Sequence, residues 1–113
     1  MRIIRTKTKL SEIWNNREIQ NTTLLKIVVD IKRRVIAVDA EMHADLENLL
    51  LDDGSKQEDL WGANLYPERG NTEFFEFTSF INIRPATGNR GMEINDPLIR
   101  DQVVSITNQL IEK

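Results

Sequence analysis

Two apolar runs of β-strand type lie only three residues apart in the first half of the chain: residues 24–31, LLKIVVDI, and residues 35–40, VIAVDA. The first run alternates, with Leu25, Ile27, Val29 and Ile31 on one strand face and Lys26 and Asp30 on the other. Runs separated by so short a gap predict a β-hairpin. The connection, Lys32-Arg33-Arg34, has no Asn-Gly or Asp-Gly, so the type of turn stays open.

Further alternation predicts additional strands. RIIR, residues 2–5, and MEI, residues 92–94, have the composition of short strands. LWGANLYP has Trp61, Ala63 and Leu65 on one face, Gly62, Asn64 and Tyr66 on the other, and Pro67 at its end. FFEFTSFINIRP, residues 74–85, has Phe75, Phe77, Ile81 and Ile83 on one face and Glu76, Thr78, Asn82 and Arg84 on the other. This last assignment requires regular pleating, because one bulge would exchange the two faces.

Helical spacing of apolar residues predicts three helices, near residues 10–17, 44–52 and 97–111. The first rests on Leu10, Ile13 and Trp14, and the second on Leu46, Leu49 and Leu50 before Asp53-Gly54. The third has Asp96 as N-cap and Pro97 at its first position, followed by Ile99, Val103, Ile106 and Leu110 on one face.

The order of these elements indicates the fold class. A hairpin, a helix, a second hairpin and a final helix are typical of an α+β fold. The 113 residues contain no repeat and no Pro/Gly/Ser-rich linker, which favours one domain over residues 1–113. We therefore expect a two-layer domain in which a mostly antiparallel sheet of about four to six strands is covered on one face by helices.

Several function classes conflict with the composition. The chain has no cysteine, which excludes disulfides, thiolate metal sites, a cysteine nucleophile and thiol redox chemistry. No segment approaches the roughly 20 apolar residues of a membrane helix, and the first residues contain no apolar run of signal-peptide length. We expect a cytoplasmic protein without a membrane partner.

Charge is unevenly distributed along the chain. Residues 1–34 contain nine Lys or Arg and three Asp or Glu, whereas residues 35–113 contain six and fifteen. The basic third could face an anionic partner, or the acidic remainder could neutralise it within the fold. Interleaving with apolar residues favours neutralisation within the fold. With a pI near 5.2 and no basic-aromatic motif, the sequence argues against nucleic-acid binding.

Several short motifs resemble those of an uncharacterised bacterial family that is catalogued as a domain of unknown function. They are His43-Ala44-Asp45, Gly54-Ser55-Lys56-Gln57, LWGANLYP at residues 60–67, Ile81-Asn82-Ile83-Arg84-Pro85 and Gly88-Asn89-Arg90. The resemblance covers most of residues 24–111 and implies membership without an activity. One departure stands out: the family pattern has a glycine between the hairpin strands, where this chain has Arg33-Arg34.

His43 is the single histidine, and it lies where a strand passes into the second predicted helix. The positive end of a helix disfavours imidazolium and favours an ionised Asp45. His43 could therefore cap the helix structurally, bind a ligand, or act as a general acid/base oriented by Asp45. A metal site at His43 would need a second histidine or a cysteine as a further ligand. The chain has neither, so we expect no metal.

Known cofactor and nucleophile motifs are absent. DDGSKQED fails the EF-hand spacing, and no phosphate-binding glycine motif or Gly-x-Ser-x-Gly elbow occurs. Ser55 could be a nucleophile only if the fold brought His43 to it. We expect no cofactor.

A polar strand face is the most suggestive candidate for a site. Regular strands in suitable register would place Asn64, Tyr66, Asn82 and Arg84 on one side of the sheet. Arg84 could grip a carboxylate or phosphate, and the loop with Asn89 and Arg90 could add an anion-binding nest. The alternative is an ordinary solvated sheet face.

The leading hypothesis is a protein that binds a small anionic ligand between this face and His43. Arg84 and Arg90 would hold the anion, while Asn64, Tyr66 and Asn82 orient it. One alternative is a protein–protein interaction module without a catalytic site. Another is a small enzyme that uses His43 as general acid/base. The sequence leaves open whether the chain is an enzyme, which ligand or partner it binds and its oligomeric state.

Overall fold

A computed structural model describes all 113 residues, Met1–Lys113. The strands are β1 Arg2–Ile4, β2 Thr8–Lys9, β3 Leu25–Asp30, β4 Val35–Val38, β5 Leu60–Leu65, β6 Phe75–Glu76 and β7 Ile111–Glu112. The α-helices are α1 Leu10–Asn15, α2 His43–Asp52 and α3 Pro97–Leu110. Short 3-10 turns occur at Gln57–Asp59, Asn71–Glu73, Phe80–Asn82 and Pro85–Thr87.

Five strands form one antiparallel sheet in the order β1-β4-β3-β5-β6. The predicted hairpin is its centre, where β3 pairs with β4 and Asp30 lies opposite Val35. β2 and β7 pair in parallel as a separate two-stranded sheet. This arrangement confirms the α+β class. No helix is both long enough and apolar enough to cross a bilayer.

Apolar side chains pack on both faces of the sheet. One cluster joins Ile27 and Val29 of the sheet to α1 and α3 through residues such as Ile13 and Val103. A second cluster lies on the opposite face, where Leu46 and Leu50 of α2 cover the following sheet residues: Val28, Val35, Ala37 and Leu60. The helices therefore cover two faces rather than one, because the central strands carry apolar residues at odd and even positions alike.

The hairpin turn spans residues 31–34 and takes its shape from Asp30. One oxygen of the buried Asp30 carboxylate accepts hydrogen bonds from the Lys32 and Arg33 N–H groups, each at 2.9 Å. The Arg34 N–H donates to the Asp30 carbonyl at 2.9 Å. Arg34 has a φ of 58°, in the left-handed region. An arginine thus occupies a backbone conformation that favours glycine.

The predicted long strand over residues 74–85 is wrong beyond its first residues. Only Phe75–Glu76 pairs with β5, and Thr78 forms a single bridge with Glu93 of the predicted MEI strand. The chain then turns at Phe80–Asn82, where Ser79 Oγ accepts from the Ile81 N–H at 3.2 Å. Phe80, the first residue of this turn, is 76% exposed.

The last helix follows its sequence signals closely. Asp96 accepts a hydrogen bond from the Leu98 N–H at 2.9 Å, and Pro97 occupies the first helical position. Val103 and Ile106 are buried against the sheet. A local cap and a periodic apolar face therefore determined both the start and the orientation of α3.

Candidate functional site

The seven predicted site residues are divided among separate places in the structure. His43, Asn64 and Tyr66 lie near one another around β5 and the start of α2. Arg84 and Asn89 line a cleft whose wall shares no residue with the small cleft beside His43. Asn82 is fully buried and Arg90 is exposed. The single polar pocket that regular strands would have produced is therefore replaced by two regions.

His43 is the first residue of α2 and is 9% exposed. Its Nε2 lies 2.8 Å from the Ala63 carbonyl oxygen, which can only accept, so the neutral ring carries its proton on Nε2. Burial lowers the pKa of His43 to about 4, although the bond to Ala63 partly opposes this effect. The imidazole is neutral, and its one donor is bonded to the backbone of β5. These two facts favour the structural role of His43 over ligand binding or acid/base catalysis.

Gly62 of β5 makes room for this arrangement. A Cβ atom at position 62 would lie 2.6 Å from Ser79 Cβ and 3.2 Å from His43 Cδ2. Both distances are shorter than ordinary van der Waals contact. The absence of a side chain at Gly62 therefore allows His43 and Ser79 to pack against the same strand.

Asn64 and Tyr66 share a partner that the predicted site did not include. Asn64 Nδ2 donates to Glu76 Oε1 at 2.7 Å, and the Tyr66 hydroxyl donates to the same oxygen at 3.1 Å. Asn64 and Glu76 are direct cross-strand neighbours. Burial, together with the Glu76 carboxylate, raises the pKa of Tyr66. The alternation of residues 74–78 already placed Glu76 on the polar face, so a cross-strand pairing argument could have found it.

Asn82 hydrogen-bonds with the backbone. Its Oδ1 accepts from the Gly62 N–H at 2.9 Å, and its Nδ2 donates to the carbonyls of Gly62 at 2.9 Å and Met92 at 3.0 Å. Asn89 acts similarly within the loop that follows Asn82. Its Nδ2 donates to the Asn82 and Glu93 carbonyls, each at 2.8 Å. These amides hold the loop against the edge of β5.

Arg84 reaches back to the start of β5. Its guanidinium donates to the Leu60 carbonyl and, at 3.4 Å, to the Glu58 carbonyl. The guanidinium carbon lies 4.5 Å from the centroid of the Trp61 ring. Burial lowers the pKa of Arg84, and the nearby carboxylates of Glu47 and Asp59 oppose that shift. The side chain is thus held in place by backbone and indole contacts.

A surface cleft of about 510 Å³ lies beside this arginine. The lining residues that matter chemically are Glu58, Trp61, Arg84, Asn89, Asp96 and Ile99. Two of their N–H donors, Trp61 Nε1 and Arg84 Nε, are buried without a hydrogen-bond partner in the protein. Buried donors are normally paired, so two unpaired donors on residues that line one cleft are unusual.

Trp61 is the residue of this cleft that sequence reasoning missed. Its position on the apolar face of β5 indicated a core residue, and its ring does belong to the core. The indole N–H is the signal that could have revealed a second role, because a buried tryptophan usually needs an acceptor. Asp96 was identified only as a helix cap.

Ser55 has partners other than His43. Its hydroxyl donates to Asp30 Oδ2 at 2.6 Å and accepts from Arg33 Nη1 at 2.7 Å. It follows the C-terminal end of α2, whereas His43 begins that ten-residue helix, which is about 15 Å long. Ser55 therefore connects the hairpin turn to the end of α2. Nowhere do three histidine or carboxylate side chains cluster so that they could hold a metal ion.

Comparison with known proteins identifies a family. The model of a family described as "Protein of unknown function (DUF5674)" matches residues 2–110. No curated protein and no solved structure matches the chain. Because the family model spans nearly the whole sequence, the chain belongs to the DUF5674 family of proteins of unknown function.

Proposed function

We propose that this protein binds a small organic carboxylate in the Arg84 cleft. One observation carries the proposal. Trp61 and Arg84 line the same cleft, and each has a buried donor without a hydrogen-bond partner, Trp61 Nε1 and Arg84 Nε. A buried donor left unpaired costs about 1–3 kcal/mol. A ligand whose acceptor oxygens reach these two donors would recover that free energy on binding.

A carboxylate matches these donors in chemistry. It offers two oxygens with about four lone-pair sites, and hydrogen bonds to a charged group are stronger than neutral ones. Trp61 and Ile99 add apolar surface for the carbon skeleton of the ligand. The site thus combines apolar contact with a few oriented donors, which is the usual composition of a small-molecule site.

The acidic residues of the cleft narrow the ligand class. Glu58 and Asp96 line the same cleft as Arg84, so carboxylates outnumber cations there. This balance disfavours phosphates with two or more negative charges. The same balance favours a carboxylate ligand that also carries an amino group or another donor, which could bind Glu58 or Asp96. An amino acid is the simplest compound of this kind.

A thermal-shift screen followed by calorimetry tests the proposal. Amino acids, simple mono- and dicarboxylates and inorganic phosphate form the panel, and we expect stabilisation by amino acids above all. Trp61→Phe keeps an aromatic ring but removes the Nε1 donor, so it should weaken binding about tenfold or more. Trp14→Phe, the matched control at the other tryptophan, should bind as the wild type does.

Fluorescence gives an independent readout, because the chain has two tryptophans and Trp14 lies outside the cleft. In the Trp14→Phe protein, emission comes from Trp61 alone and should change on ligand addition. Failure of every carboxylate to bind, or equal binding by the Trp61→Phe protein, would overturn the proposal.

A bacterial cytoplasmic location forms part of the proposal. It is supported by the family resemblance and by the lack of cysteine, since a chain without disulfides is usual in reducing compartments. Fractionation of a bacterial cell that encodes the protein would test it, and recovery with the membrane or periplasmic fraction would contradict it.

A further inference from the structure

Two of the most exposed apolar side chains of the protein lie together at the start of α2. Met42 is 60% exposed and Phe80 is 76% exposed, and both line a cleft of about 210 Å³. His43 and Ile81 form other parts of its wall. We call this surface, with its cleft, the Phe80 face. Exposed apolar residues scattered singly are ordinary, whereas these two lie together around one cleft.

Phe80 is held outward by the structure of its turn. Ser79 Oγ accepts from the Ile81 N–H, and Asn82 is tied to Gly62 through both of its amide atoms. The residues on either side of Phe80 are therefore fixed. An aromatic side chain presented on a fixed backbone loses little conformational entropy on binding, as is common for the dominant contacts of protein interfaces.

We propose that the Phe80 face is the interface of a symmetric dimer, in which Phe80 of each copy enters the cleft of the other. A two-fold interface brings the same patch of both copies together, so it requires a surface complementary to itself. The Phe80 face meets this requirement because a projecting ring stands beside a cleft. A cavity of about 150 Å³ holds a benzene molecule, so the larger cleft here can admit the phenyl ring.

The charges around the cleft support a second copy as the partner. Lys26 and Glu41 both line it, one cation and one anion. Across a two-fold axis, Lys26 of one copy can face Glu41 of the other, and the same pair forms twice. A strongly acidic or basic partner would gain nothing from this balance. His43, which also lines the cleft, is neutral above about pH 4, so docking buries no imidazolium there at neutral pH.

Sedimentation velocity on the full chain tests the dimer, over concentrations from roughly 1 µM to 1 mM. We expect a concentration-dependent dimer whose dissociation constant rises at least about 30-fold in the Phe80→Ser protein, as for a dominant interface residue. The matched control is Leu98→Ser, at a 72% exposed apolar residue of α3, which should leave the dimer unchanged. Circular dichroism verifies that each variant is folded.

Charge reversal tests the geometry of the pairing. Lys26→Glu and Glu41→Lys should each weaken the dimer, because like charges then face each other. A mixture of the two single variants should form heterodimers, since one copy then presents two carboxylates and the other two ammonium groups. The double variant should also recover dimerisation.

Three results would overturn the proposal. They are a monomer at every concentration, a dimer that is unaffected by Phe80→Ser, and single charge variants that do not associate when mixed. Each would show that the Phe80 face does not join two copies as described.

Discussion

The side chain of Asn82 pairs with the backbone of Gly62 as a neighbouring strand would. Oδ1 accepts from the Gly62 N–H and Nδ2 donates to the Gly62 carbonyl, both at 2.9 Å. One amide therefore satisfies both polar groups of a buried residue on β5, beyond the point where β6 ends. The main chain is free to turn at Phe80–Asn82 because the side chain, not the backbone, completes the sheet edge.

Asn82→Ala should destabilise the protein by about 3 kcal/mol, because it leaves the Gly62 N–H and carbonyl buried without partners. Urea denaturation measures the free energy of unfolding. Asn16→Ala, which removes an exposed side-chain bond to the Glu12 carbonyl, is the control and should cost less than about 1 kcal/mol. Equal losses in the two variants would contradict the strand-like role of Asn82.

Gly62→Ala should destabilise the fold by about 1–3 kcal/mol, because the new methyl group would overlap Ser79. Its Cβ would lie 2.6 Å from Ser79 Cβ and 2.7 Å from Ser79 Oγ. Gly70→Ala is the control, since a Cβ there meets nothing within 4 Å. Adding Ser79→Gly to Gly62→Ala should recover part of the loss, and a double-mutant cycle that shows strict additivity would count against the clash.

His43 should make stability depend on pH between about 4 and 6.5. Its pKa falls from 6.5 to about 4 on folding, so the unfolded chain binds more protons within that window. The contribution of the neutral buried ring, about 3 kcal/mol, is complete above pH 6.5 and is lost as the pH falls towards 4. Urea midpoints measured from pH 4 to 8 should show this slope.

His43→Gln keeps a donor for the Ala63 carbonyl but cannot titrate, so its stability should vary less with pH in that window. Because the chain has one histidine, a single imidazole signal in an NMR titration reports the pKa directly. A value near 6.5 in the folded protein would refute the burial argument.

Arg34→Gly should be more stable than Arg34→Ala by about 1 kcal/mol, because the φ of 58° suits glycine and strains other residues. Both changes remove the same side-chain bond to Gln109, so their difference isolates the backbone. At Lys32, which has no positive φ, the order should reverse. Thermal unfolding of the four variants measures both differences.

Signals confined to one or two neighbouring elements were enough to predict much of the fold. Alternation and a short gap predicted the β3–β4 hairpin, and Asp96-Pro97 with a periodic apolar face predicted α3. Each of these features depends on residues close together in sequence, where local geometry and burial of one face agree.

The tertiary structure alone decided how the polar residues are used. Asn82 was predicted to point from a regular strand into a pocket with His43, and it instead hydrogen-bonds with Gly62, twenty positions away. Trp61 was predicted to be a core residue, and its ring does pack in the core, but it also lines the Arg84 cleft with an unpaired Nε1. An asparagine can satisfy a distant backbone as well as a ligand, so its role depends on which group the fold brings within hydrogen-bonding distance.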